Sequence, residues 1–278
     1  MAQLPVELII VALGFVATLG LFAWRSKPAP YNIFAESWRQ AIELVRRRPK
    51  LAIFALLLFL GQLAAPLLIA RYAPKHSWVA AGVLVGVQAL LIYVLAHVAY
   101  RLHRGLIYGD WKQGLNFGTR ERRMALYVVA GWFVVAVLAR LPVPTAPFIH
   151  PILTSAIGAG LSLLAFVVKV FLSLMGPAAS LDDPTPLRRS LTSVAREPVA
   201  AFAIFTMIYL SVFLLNQLFN LIAIRMPTLA GLSAALALSA TTFFFILAEF
   251  ALVILLTRVS EDQYEPETRY AAHNLNWF

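Results

Sequence analysis

Residues 34–58 read FAESWRQAIELVRRRPKLAIFALLL, and this stretch decides the fold class. Phe34, Trp38, Ala41, Ile42 and Val45 recur at helical spacing and form one apolar stripe, with Glu36, Arg39, Gln40, Glu43 and Arg47 opposite. A segment of this kind is expected to lie in a membrane interface. It ends in Arg46, Arg47, Arg48, Pro49 and Lys50, and Leu51 then opens an apolar run long enough to cross a bilayer. The basic cluster is placed to meet anionic lipid headgroups, at about 1 kcal/mol per basic residue near the surface.

Composition agrees with a membrane protein. A chain of 278 residues that is 61% hydrophobic and only 13% charged, with a mean hydropathy of +0.79, has too little charge to clothe a water-facing surface. Cysteine is absent, which excludes disulfides, thiolate metal sites, iron–sulfur clusters and c-type haem attachment.

Seven candidate spans follow along the chain: Leu4–Trp24, Leu51–Ala70, Trp78–Tyr100, Met124–Leu141, Pro151–Met175, Val199–Ala223 and Leu229–Leu256. Each is long enough for a hydrocarbon core of roughly 30 Å. The segments after spans one, three, five and seven carry eighteen of the 23 Lys and Arg residues. The positive-inside rule then puts the N-terminus outside and the C-terminus in the cytoplasm. The net charge of +10 is thereby a record of topology, and nucleic acid is an unnecessary partner. The expected fold is an all-α polytopic bundle.

Leu4–Trp24 reads as a retained anchor rather than a signal peptide. It lacks a basic n-region, contains Glu7, and is followed by Arg25 and Lys27 without a small-x-small cleavage site. Residues 1–30 are therefore read as an anchor, 31–257 as a six-helix membrane domain, and 258–278 as a cytoplasmic tail ending in NLNWF. Asn32 is placed to cap the first surface helix. Within the membrane domain, Val45, Arg47, Pro49 and Ala52 match Val194, Arg196, Pro198 and Ala201 at a constant offset, and Arg122 lies halfway between. A threefold repeat of surface helix plus membrane hairpin is the expectation. The third surface helix should start with Asp183 as N-cap and Pro184 at its first position, with Leu187, Leu191 and Val194 on one face. The middle one should be interrupted by Gly105, Gly109, Gly114 and Gly118.

The stretch quoted above, taken with residues 174–205, LMGPAASLDDPTPLRRSLTSVAREPVAAFAIF, resembles bacterial multi-pass membrane proteins of the YciC type and the membrane domains attached to some glycerophosphodiester phosphodiesterases. In those, a proline–alanine turn, a short acidic or polar turn, an amphipathic helix and the next span follow one another. The resemblance covers roughly residues 34–256 and implies a bacterial inner-membrane protein. The chain departs from it in its extra N-terminal span and its tail, and has no room for a phosphodiesterase domain, so no catalytic residue carries over.

Polar groups inside spans are where chemistry should show. Lys169 and Glu249 lie at depths that differ by only about 3 Å, so they can meet. As function the pair would be an ion-coupled site; as structure, a buried ion pair or two side chains reaching for the interface, and the structural readings are favoured. Glu7 and Arg140 offer a second pairing near the outer face. Asn216, Gln217 and Asn220, joined by Tyr209, form a polar patch that either faces a substrate or bonds between helices, as do Gln62 with Pro66, and Gln88. His76, His97, His103, His150 and His273 lack the spacing of a helical metal site, and no metal or cofactor is expected. Gly82–Gly86 and Gly158–Gly160 are small-residue packing signals. With no phosphate loop or nucleophile motif, the leading expectation is a non-enzymatic scaffold, assembly factor or accessory subunit that meets other membrane proteins. The alternative is a small transporter or channel using Lys169 and Glu249.

Overall fold

Proline punctuates this chain, and five of its helices begin on one. Pro supplies a helical φ at the first turn, where its missing N–H has no partner to lose. The structure, a computed structural model, describes residues 30–72, 78–109, 111, 118–139 and 151–260. These form α1 (Pro30–Arg47), α2 (Pro49–Tyr72), α3 (Trp78–Tyr108), α4 (Thr119–Ala139), α5 (Pro151–Leu172), α6 (Met175–Ser180), α7 (Pro186–Arg196), α8 (Pro198–Arg225), a 3-10 turn (Pro227–Leu229) and α9 (Ala230–Ser260). No strand occurs among the described residues. Among the described residues, four stretches are long and apolar enough to cross a membrane: Gly82–Tyr108, Gly160–Ser180, Pro198–Arg225 and Pro227–Val259. A fifth arises if α1 and α2, bent by 101° at Arg48, count as one broken span. Expected spans three, five, six and seven overlap the four stretches and span two overlaps the bent pair; Met124–Leu141 overlaps α4, which is not among them, and its last two residues, like Leu4–Trp24, lie outside the described residues.

The C-terminal half of α9 is the core. Residues Phe250 to Leu256 are all buried, as are Phe244, Ile246 and Leu247. This half is enclosed by protein, since α1, α2, α3, α6, α7 and α8 all pack on α9.

Helices α1 and α7 each have three faces. In α1, Ile33, Ser37, Ala41 and Leu44 are buried against the body, Trp38, Ile42 and Val45 are exposed beside them, and the polar side chains lie opposite. The apolar stripe expected from the sequence is therefore the flank of the packed face, although Trp38 still sets its ring edge against Phe243 and Phe244 of α9. In α7 the buried residues are Pro186, Ser190, Ser193 and Val194, with Leu187 and Leu191 exposed. At the same offset burial agrees in part: Ser37, Ala41 and Leu44 correspond to Pro186, Ser190 and Ser193, and exposed Trp38 and Ile42 to Leu187 and Leu191, but Val45 is exposed where Val194 is buried.

Three boundaries differ from expectation. Helix α1 starts at Pro30, so Asn32 lies within its first turn and does not cap it. Helix α7 starts at Pro186, because Asp183 does not cap it; the Asp183 carboxylate accepts the Thr185 backbone N–H at 2.7 Å in an Asx turn two residues earlier. Helix α3 does not stop at Tyr100. It passes through Gly105 and ends at Gly109, whose φ of 65° and N–H bond to the Gly105 carbonyl (3.1 Å) make it a left-handed terminator. Gly105 is required for a different reason: a Cβ there would overlap the Trp111 indole.

Gly105→Ala should therefore lower stability by about 1–3 kcal/mol, read as a fall in thermal midpoint in detergent. Gly82→Ala, which meets nothing within 4 Å, is the control and should leave the midpoint unchanged.

Candidate functional site

The continuation of α3 past Tyr100 brings Arg101, His103 and Arg104 to one end of the bundle, where α4, α6 and α9 converge. Three linked polar groups result. Arg101 and Glu121 form an ion pair at 2.8 Å with both side chains more than nine-tenths buried. Glu121 also accepts the Gly118 N–H at 2.9 Å, the reciprocal half of a capping box at the start of α4. One carboxylate thus ends a helix and neutralises a buried guanidinium from its neighbour.

The second group centres on Asp182. The turn after α6 closes with Asp183 N–H to the Ala178 carbonyl and Asp182 N–H to the Ala179 carbonyl, both 3.2 Å. This is a Schellman motif with an aspartate, φ 64°, at the position usually held by glycine. Its carboxylate accepts from Arg120 (2.9 Å) and Arg104 (3.3 Å), so the left-handed residue is held by α4 and α3 together. Arg104 also donates to the Ser180 carbonyl and lies over the Tyr108 ring at 4.5 Å.

The third group joins three helices. His103 of α3 is fully buried, with Nε2 2.8 Å from Oε2 of Glu249 on α9 and Nδ1 3.1 Å from Oγ of Ser180 on α6. Ser180 donates its own proton to the Pro177 carbonyl at 2.6 Å, so toward the ring its oxygen accepts and Nδ1 carries hydrogen. The bond from Nε2 to Glu249 then needs one more proton, on the ring or on the carboxyl. Either way the pair is neutral as a unit, which suits a buried place. The residue types are those of a hydrolase triad, but the Ser180 proton points away from the imidazole and both Ser180 and His103 are closed to solvent.

The expected Lys169–Glu249 pair is replaced by other partners. Glu249 belongs to His103, and the Lys169 ammonium lies 4.5 Å from the centre of the Tyr209 ring on α8, a cation–π contact. Equal depth does not bring them together, because α5 packs on α4, α7 and α8 while Glu249 faces α3 and α6. Asn216 is half-buried and Gln217 and Asn220 are exposed on α8. Gln88 donates to the Gln62 carbonyl at 3.3 Å, so it bonds between helices. His97 binds the carbonyl of Tyr93, four residues back, at 2.8 Å. Arg46, Arg47, Arg48 and Lys50 are exposed around the α1–α2 bend, where Arg47 also pairs with Glu43. Glu7, Arg140, His76, His150 and His273 lie outside the described residues.

Sequence reasoning missed His103, Ser180, Arg101, Glu121 and Asp182. The available signal was the three-residue spacing of Arg101 and Arg104 in register with the helix before them, which an earlier span end concealed.

In nitrogen NMR of the labelled protein, His103 should show a protonated Nδ1; an unprotonated Nδ1 would contradict the bond assignment. Glu121→Met should cost about 3–5 kcal/mol by stranding Arg101, and Arg101→Met added to it should restore most of that stability. Additive losses in the double variant would show the two to be uncoupled.

Compared with protein-family models, curated proteins and solved structures, the chain gives no match.

Proposed function

We propose that this chain is a non-enzymatic integral membrane protein that acts as a scaffold, assembly factor or accessory subunit of a larger membrane complex. In this reading it crosses the bacterial inner membrane seven times, N-terminus outside and C-terminus in the cytoplasm, with α1 and α7 lying in the cytoplasmic interface. Their exposed Trp38, Ile42, Leu187 and Leu191 enter the acyl boundary, and Arg46, Arg47, Arg48 and Lys50 meet anionic headgroups.

One contrast carries the reading. The charged groups at the convergence of α3, α4, α6 and α9 are engaged with one another, tying helices together, while the outward apolar surface is extensive. Of the span-capable stretches, Pro227–Val259 has 61% of its apolar window buried, against 28%, 39% and 33% for Gly82–Tyr108, Gly160–Ser180 and Pro198–Arg225. A firm interior with broad apolar flanks suits a protein whose work is contact with other helices.

The transporter or channel reading keeps one observation in its favour. The Ser180–His103–Glu249 chain holds a proton inside the bundle, and Lys169 has an aromatic ring rather than a carboxylate as its partner.

Purification in mild detergent should retain a second polypeptide in fixed stoichiometry; recovery of this chain by itself, monomeric or self-associated, would count against the scaffold reading. Under the transporter reading, Lys169→Met or Glu249→Gln should abolish ion or solute flux in vesicles without unfolding the protein.

A further inference from the structure

The C-terminal half of α8 has two unlike sides. Val212 and Leu215 pack inward, and the Ser233 hydroxyl of α9 donates to the Phe219 carbonyl, which fixes α8 against α9 along that side. The other side runs Phe213, Gln217, Asn220 and Ile224, at intervals of four, three and four residues, and all four are exposed. That is the spacing of a helix–helix seam, with two amides at its centre. Neither Gln217 nor Asn220 has a side-chain hydrogen-bond partner among the described residues. They are not at the helix end: exposed Leu214 and Leu218 lie beside and before them, and Leu221, Ile224 and Met226 beyond. In a membrane, amides bracketed by exposed apolar side chains need a hydrogen-bonding partner.

We propose that the partner is a second copy of this chain, paired in parallel through α8, with Gln217 against Gln217 and Asn220 against Asn220. Three arguments select it. Each amide carries both donors and an acceptor, so the patch is complementary to itself. Every copy enters the membrane the same way round, so a twofold axis along the bilayer normal sets identical residues at identical depth. A polar residue at a seam position is the device that fixes register and number in parallel helix pairs. The pairing does not depend on the scaffold reading.

The chain contains no cysteine, so single-cysteine variants report without background. Full-length protein in its native membrane is oxidised after introducing Cys separately at Phe213, Gln217, Asn220, Ile224, Leu215 and Phe219. A product of twice the chain mass should form at the first four positions and be weak at Leu215 and Phe219. In lipid vesicles, Gln217→Leu with Asn220→Leu should weaken association, followed by energy transfer between labelled copies as lipid is diluted in, roughly tenfold. Equal crosslinking at all six positions, no self-crosslinking at any, or unchanged association of the double variant would overturn the pairing. A crosslinked product of another mass at the seam positions would also overturn it, while favouring the scaffold reading. If the double variant fails to fold, the crosslinking pattern decides.

Discussion

A carboxylate on a helix that is enclosed on all sides has to be answered by a neighbour, and Glu249 is answered by His103. That bond sets the rotation of α9 relative to α3. Ser180, on the other nitrogen of the same ring, sets the place of α6. The neighbouring groups then repeat the logic: Arg104 reaches the Ser180 carbonyl and Asp182, Arg120 reaches Asp182 from α4, and Arg101 returns to Glu121. Four helices are thereby fixed by directional contacts at one end, while apolar packing, which tolerates sliding and rotation, is left to hold the rest.

Position along a helix is legible in this sequence; rotation about it is not. The apolar runs, the proline starts and the bend after Arg48 all follow from composition and spacing. Lys169 and Glu249 share a depth in the expected threading, yet each turns to another helix, because nothing in a linear count says which flank of α5 meets which flank of α9. In an aqueous protein the polar face would reveal the rotation. Here α8 and α9 are apolar around their circumference, so the periodic signal that orients a helix is absent. Helices α1 and α7 show the same limit in milder form: in α1 the stripe through Trp38, Ile42 and Val45 is real, but the buried side is the adjacent one, marked by the small residues Ser37 and Ala41 that permit close approach.

Small side chains also recur in α1 and α7. Ser190 and Ser193 on α7 occupy the places of Ala41 and Leu44 on α1, and Ser190 donates to the Phe171 carbonyl near the C-terminus of α5, where the helix has carbonyls without internal partners. Each of α1 and α7 is followed by one residue, Arg48 or Glu197, and then by a proline that starts the next helix. The proline cannot donate a hydrogen bond to the helix before it, so the backbone has a defined place to turn.

The place of α9 in the chain has a consequence for biosynthesis. His103 leaves the ribosome 146 residues before Glu249. At about 5–20 residues per second, some 7–30 s of translation separate the two. By the end of that interval α1, α2, α3, α6, α7 and α8 have been made without the helix they pack on, and a buried imidazole lacks its acid. The bonds that fix the rotation of α9 at that end of the bundle are therefore the last to become available as the described residues are synthesised.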